Sequence, residues 1–265
     1  TNVSMENRRK VITIICLTVS ILPLFLVRMP IAMDFPNHLA RLWILAGGHL
    51  SGPLACVYEP HWVNASTNIA VDAFSTLLSR FLSLNIVTKI LLILLFVGPP
   101  AGAALLNRSV FKSWHPWQIS FFMLTWTTTS IAGFMSFQIG LAAALTAAVI
   151  DNRFAGSALF RFLLRTLTGM LLLLIHPFSL AFFIILAWGL DIGEEPPLPP
   201  TKERVTRIIK STVLLGAAGA IPVLILYAAG PNPPGAYAST GSVIQWFFSA
   251  KDAFKSVLSP LFTYH

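Results

Sequence analysis

Long apolar runs cut by short polar segments organise this chain, and a run of about 20 apolar residues is the length that crosses a bilayer. Residues 11–27, 86–106 and 211–229 each suit one crossing, with Lys89 near the end of the second reaching back to the interface. Residues 117–150 and 162–190 are too long for one crossing and predict hairpins of two short helices. The first hairpin breaks between Thr127 and Gly133. The second breaks at His176-Pro177, since proline disfavours helix at the residue before it.

A polar insert, residues 28–86, separates the first two crossings and carries its own helical periodicity. With residues 35–47 wound at 100° per residue, Asp34, Asn37, His38 and Arg41 share one narrow face. Phe35, Leu39, Leu42, Trp43 and Ala46 take the other. Residues 68–82 predict a second amphipathic helix, with Ile69, Val71, Phe74, Leu77, Leu78, Phe81 and Leu82 apolar and Asp72, Thr76 and Arg80 opposite. Residues 243–258 mix Trp246, Phe247, Phe248 and Phe254 with Lys251, Asp252 and Lys255, an interfacial composition.

Composition narrows the class. A chain of 265 residues that is 55% hydrophobic and 11% charged, with mean hydropathy +0.75, is too apolar for a soluble domain. The net charge of +8 would suit a nucleic-acid binder, but the basic residues sit at the ends of apolar runs, so topology explains them and no nucleic-acid partner is expected. If both long stretches are hairpins, Arg8, Arg9, Lys10, Arg108, Lys112, Arg153, Arg161, Arg165, Lys202, Arg204, Arg207 and Lys210 lie in the cytoplasm, twelve of the eighteen Lys and Arg. With single long helices the split is nine to nine, which the positive-inside rule disfavours.

The expected fold is therefore all-α: a polytopic helical bundle of about seven spans, forming one transmembrane domain over 1–265. The N-terminus is cytoplasmic, 28–86 is a large first extracytoplasmic loop with amphipathic helices, 191–210 is a cytoplasmic linker, and 230–265 is an extracytoplasmic tail that stops as if more chain followed. Residues 11–27 read as an uncleaved span, because bulky residues occupy the place of a cleavage site. Cys16 and Cys56 fall at different depths, so no disulfide or metal-ligand spacing is expected.

Candidate chemistry gathers in the first outer loop. Asp34 follows a span closely, where partial desolvation favours general-base use; the plainer alternative is a helix cap. His38 and Arg41 on its face offer donors to phosphate or carboxylate, or else turn toward lipid headgroups. His176 is an ionisable residue at the tip of an apolar hairpin on the same outer side, with capping beside Pro177 as the alternative. Asp72 reads first as a local partner of Thr76 and Arg80, and second as a further binding residue. No P-loop, Rossmann fingerprint, nucleophile elbow or zinc motif occurs. The GxxxG from Gly98 to Gly102 holds Pro99 and Pro100 and makes a poor dimer face. The sequons at Asn2, Asn64 and Asn107 are chance-level signals, with only the second in an outer loop.

The string Asp34-Phe35-Pro36-Asn37-His38, opening a large outer loop with two amphipathic helices after one span, resembles the GT-C superfamily of membrane glycosyltransferases. The resemblance covers nearly the whole chain and rests on this motif and the topology. It implies a seven-span module in a bacterial plasma membrane, with Asp34 as base or acceptor-orienting group. It also implies a polyprenyl-phosphate sugar as donor, held near the outer surface by basic residues for which Arg41 and His176 are nearest. The site set is then Asp34 as catalytic residue with Asn37, His38, Arg41, His176 and Asp72 binding substrate. The loop lacks the paired acidic motif of the metal-dependent oligosaccharyl transferases, so no metal or other cofactor is indicated, and the superfamily's usual C-terminal portion is missing or cut short. Partners are the lipid-linked donor and membrane lipids. A transporter or flippase would place polar residues deep in the spans, which are nearly bare apart from Ser136, Gln138 and the threonine cluster. A non-catalytic assembly subunit is a third option, and a defective or truncated homologue would look the same in sequence.

Overall fold

A computed structural model describes residues 2–27, 32–50, 57, 58, 60, 62, 67–154, 156–193 and 202–229. Among them the chain is all-helical. The tail 230–265 with its interfacial stretch, the proline run 196–200 and Cys56 lie outside the described residues, while Cys16 is a free thiol.

Among the described residues nine α-helices follow in order: α1 (Asn2–Leu26), α2 (Phe35–Leu45), α3 (Ala70–Leu78), α4 (Leu84–Phe111), α5 (Thr128–Ala132), α6 (Met135–Arg153), α7 (Ala158–Ile175), α8 (Pro177–Gly193) and α9 (Lys202–Ala229). Four of them, α4, α6, α7 and α9, are long and apolar enough to cross a membrane; α8 and the Val11–Leu26 part of α1 are shorter apolar helices. Leu163, Leu167 and Leu171 form an outward stripe along α7, each more than half exposed, while Arg165, Gly169, Leu172 and Leu173 point inward. Exposed leucine at i, i+4 and i+8 is tolerable only against lipid, and the chain is a membrane protein.

The core is centred on α4, where Val87, Leu91, Leu95 and Phe96 are almost fully buried against Leu24 of α1, Phe35 and Leu42 of α2 and Met135 of α6. Here the GxxxG has a different use from the one weighed in the sequence. A Cβ on Gly98 would stand 2.7 Å from the Ala142 Cβ, and one on Gly102 would stand 2.8 Å from the Leu145 Cβ. The two glycines let α4 and α6 approach closely, an intrachain seam rather than a dimer face.

Both predicted breaks occur. α7 stops at Ile175 and α8 starts at Pro177; α6 is separated from the preceding segment by α5 and by Gly133 at φ 81°. The first arm of the first hairpin differs from expectation, because Pro116–Trp126 winds as an 11-residue 3₁₀ helix. Its steeper rise carries those residues about 22 Å. The segment is tied to α4 at both ends. Gln118 donates to the side chain of Asn107, and Trp126 packs on Phe96 with ring centroids 4.4 Å apart. Asn107, one of the chance sequons, is thus buried in a helix contact.

The amphipathic helices of the first loop are shorter than the periodicity predicts. α2 ends at Leu45 because Gly47 turns to φ 103°. α3 covers only part of 68–82, and its burial is rotated from expectation: Val71, Asp72 and Ser75 are buried while Phe74, Leu77 and Phe81 are exposed. Trp43 of α2 is exposed as well. The apolar faces of α2 and α3 are split between the bundle core and an outward fringe that includes Trp43, Phe74 and Phe81.

Candidate functional site

Asp34 owes its position to the break between the 3₁₀ segment and α6. Thr127 caps α5 by accepting from the Ser130 amide at 3.3 Å, and the short helix leaves its last carbonyls without partners of its own. The strand of chain leading into α2 supplies them. Met33 N donates to Ile131 O at 2.9 Å and Asp34 N to Ala132 O at 3.0 Å. Gly133 makes this approach possible, since a Cβ there would stand 3.1 Å from Asp34 N and 3.2 Å from Phe35 N. Beneath, Gln138 donates to Thr129 Oγ1 at 2.6 Å, so the buried amide and the threonine cluster satisfy one another.

The side chain of Asp34 does not cap α2. Its Oδ1 accepts from Asn37 Nδ2 at 2.8 Å and its Oδ2 lies 3.2 Å from His38 Nε2, while the carboxylate remains 42% exposed. One helical turn further on, Arg41 donates to Asp72 of α3. Asp72 therefore pairs across the loop with α2 instead of with Arg80, and Thr76 turns back to the Asp72 carbonyl at 2.8 Å. Burial pushes the Asp72 carboxyl above its usual range, with the charge and hydrogen bond of Arg41 and then the charge of His38 opposing. Burial prevails because Asp72 is nearly covered while Arg41 is mostly in solvent.

Five of the six predicted residues thus converge: Asp34, Asn37, His38, Arg41 and Asp72. Beside them a largely apolar groove of ≈ 280 Å³ is lined by Asn37, Ala40, Arg41, Ile44, Leu45, Tyr58 and Pro60. His176 lies at the same end of the bundle, as Ile69 N donates to Leu174 O at 3.0 Å and docks the start of α3 on the α7–α8 turn. Its own contacts are local. His176 Nδ1 accepts from Phe178 N at 3.2 Å, and its ring stacks on Phe178 and meets Phe137 edge-on. His176 ends α7 beside Pro177, so the helix-end alternative describes its surroundings.

No family model, curated protein or solved structure matches this chain. The site is read from its own geometry. That geometry offers an accessible carboxylate braced by an amide and an imidazole, a guanidinium one turn away, and an apolar groove leading from it: a proton acceptor beside an anion-binding point. Among the described residues no three His, Cys, Asp or Glu side chains converge as metal ligands.

One cluster escaped sequence reasoning. At the opposite end of the bundle, Arg165 of α7 bonds both oxygens of Asp151 of α6 (2.9 and 2.7 Å) and both of Asp191 of α8 (2.8 and 2.7 Å). Ser211 of α9 adds a 2.5 Å bond to Asp191. Arg165 entered the sequence reading only as a charge that sets topology. The available signal was that one basic residue and two acidic ones sit at neighbouring ends of three apolar runs, where ionisable side chains need partners.

Proposed function

We propose that the chain is an integral-membrane glycosyltransferase of the GT-C kind, moving a sugar from a polyprenyl-phosphate donor to an acceptor on the extracytoplasmic face. One observation carries the proposal: Asp34 is pinned by its backbone to the α5 break, its exposed carboxylate bonds Asn37 and faces His38, and Asn37 and Arg41 line a largely apolar groove beside it. In the reaction, the acceptor hydroxyl gives its proton to Asp34 and attacks the anomeric carbon of the sugar. The bond from that carbon to the donor phosphate oxygen breaks, and the phosphate leaves with the electron pair, its charge offset by Arg41. Asn37 and His38 fix the carboxylate, the groove takes the first part of the lipid, and Asp72 sets the reach of Arg41. His176 supports the loop through the turn that holds α3.

The accompanying topology is seven crossings, with the 3₁₀ segment and α5 as the third and the N-terminus in the cytoplasm of a bacterial cell. Two sets of contacts support it. The termini that the basic residues assign to the outside meet one another through Asp34–Ala132 and Ile69–Leu174, and those assigned to the inside meet through Asp151, Arg165, Asp191 and Ser211. A cysteine at Ser157 should then resist an impermeant maleimide in intact cells, whereas labelling there would end the seven-span scheme.

The test of function is transfer from a polyprenyl-phosphate sugar in membranes. Asp34→Asn keeps the size and hydrogen bonding of the side chain but cannot accept the proton, so turnover should fall about 10²- to 10⁴-fold at unchanged expression. Full activity of Asp34→Asn would leave this carboxylate a structural residue.

A further inference from the structure

The segment that leads into α5 keeps 3₁₀ winding for 11 residues, although such runs are uncommon beyond three or four because their hydrogen bonds are poorly aligned. Its two ties to α4 explain the winding. Gln118 bonds to the side chain of Asn107 and Trp126 packs on Phe96, and those anchors on α4 lie about 16 Å apart at the α-helical rise. The eight steps from Gln118 to Trp126 cover about 16 Å as a 3₁₀ helix but only about 12 Å as an α-helix. The 3₁₀ form reaches both anchors and the α form reaches one.

A side chain inside the segment suits the other winding. Thr125 is fully buried, and its hydroxyl has no partner among the described residues. In the α-helices Thr18, Thr76, Thr88, Thr146, Thr166 and Thr212 each donate to the carbonyl four residues before, at 2.7 to 3.0 Å. A 3₁₀ backbone carries that carbonyl out of line. Ser120 takes the one three residues before instead, at 2.7 Å, and Thr125 takes neither. Winding as α-helix brings the Phe121 carbonyl beneath Thr125 and removes the cost of a buried unpaired hydroxyl.

The two ties do not hold equally. Asn107 and Gln118 are both buried, and parting them strands two amides. Trp126 on Phe96 is an apolar contact, which re-forms against the next turn of α4, where Pro99 and Pro100 are buried. Beyond Trp126 the chain enters α5, whose carbonyls hold the Met33 and Asp34 amides, and then turns at Gly133 with φ 81°. Gln138 of α6 donates to Thr129 and must follow α5 or release it.

We propose that residues 116–126 are a two-state strap. In the observed state the strap is 3₁₀ and holds α5 at the far end of its reach. In the second state it is α-helical, still tied at Gln118 and about 4 Å shorter, so it draws α5, with Asp34 attached, toward the Asn107 end of α4. The strap regulates the site proposed above, by withdrawing a carboxylate that is 42% exposed in the observed state, and its functional meaning rests on that reading.

The test uses the full chain in lipid nanodiscs, with Cys16 and Cys56 replaced by serine and spin labels on Val110→Cys and Met33→Cys, both exposed positions. Pulsed dipolar distances between the labels should show two populations about 4 Å apart. Thr125→Val keeps the shape and removes the hydroxyl that only the α state pairs. The shorter population should fall about 3- to 10-fold relative to the longer one. Gln118→Leu frees the fixed end, lets the segment shorten without moving α5, and should abolish the shorter population. A single distance in the native chain overturns the proposal. So does an unchanged ratio in Thr125→Val at native melting temperature, or a shorter population that persists in Gln118→Leu. Sugar transfer is not read in any arm, so failure of the strap and failure of the activity proposed for Asp34 are told apart.

Discussion

Arg41 of α2 donates a hydrogen bond to Asp72 of α3, joining helices whose residues stand 31 positions apart. The pair is unequal: the Arg41 side chain is 57% exposed and that of Asp72 only 9%. Arg41 can therefore present part of its guanidinium to the groove while Asp72 holds the rest.

Loss of the two partners should not cost the same. Arg41→Ala strands a buried carboxyl, for which a cost of about 1–3 kcal/mol is expected. Asp72→Asn in the same chain should recover part of it. A double-mutant cycle on thermal unfolding in detergent measures the coupling, and additive effects would remove the pair from the folding energetics of the loop.

Asp72 also predicts a pH dependence. Its carboxyl is raised by burial, against the opposing pull of Arg41 and His38, so the folded chain holds that proton more tightly than the unfolded one. Its contribution is fully present below the ordinary carboxylate range and is lost as pH rises through the raised value. Asp72→Asn cannot ionise. Its stability relative to the native chain should improve from acid toward neutral pH, and a trend in the opposite direction would mean that pairing outweighs burial.

Gly133 should be intolerant for a reason of position. Gly133→Ala adds a Cβ at φ 81°, a strain of about 1–2 kcal/mol, and sets it 3.1 Å from Asp34 N. Sugar transfer should fall more than the melting temperature does, because the first thing displaced is the Asp34 backbone that positions the carboxylate. Unchanged transfer by Gly133→Ala would show that Asp34 does not depend on the α5 break for its placement.

For the opposite end, Arg165→Leu leaves Asp151 and Asp191 facing each other without their shared cation, and a loss of about 3–5 kcal/mol is expected. Asp191→Asn should cost less, since Arg165 keeps its bidentate bond to Asp151. Thermal unfolding of the two variants ranks them. A smaller loss for Arg165→Leu than for Asp191→Asn would contradict the central role of the guanidinium.

What the residues alone determined was local. Run length and hydropathy place the apolar helices, proline at 177 and glycine at 133 place the breaks, and a period of 3.6 puts Asp34, Asn37, His38 and Arg41 on one face, because each depends on neighbours within a turn or on length against bilayer thickness. Only the tertiary structure decided the rest. That Asp72 answers Arg41 and not Arg80, that Gly98 and Gly102 open α4 to α6, that Asp34 rests on the carbonyls of α5, and that Arg165 unites Asp151 with Asp191 all depend on which helices lie side by side. Helical periodicity gives each residue a direction around its own axis and says nothing of what stands there. His176 illustrates the limit: its position at a turn between two helices was legible, but the rings it packs on, Phe137 of α6 and Phe178 of α8, were not.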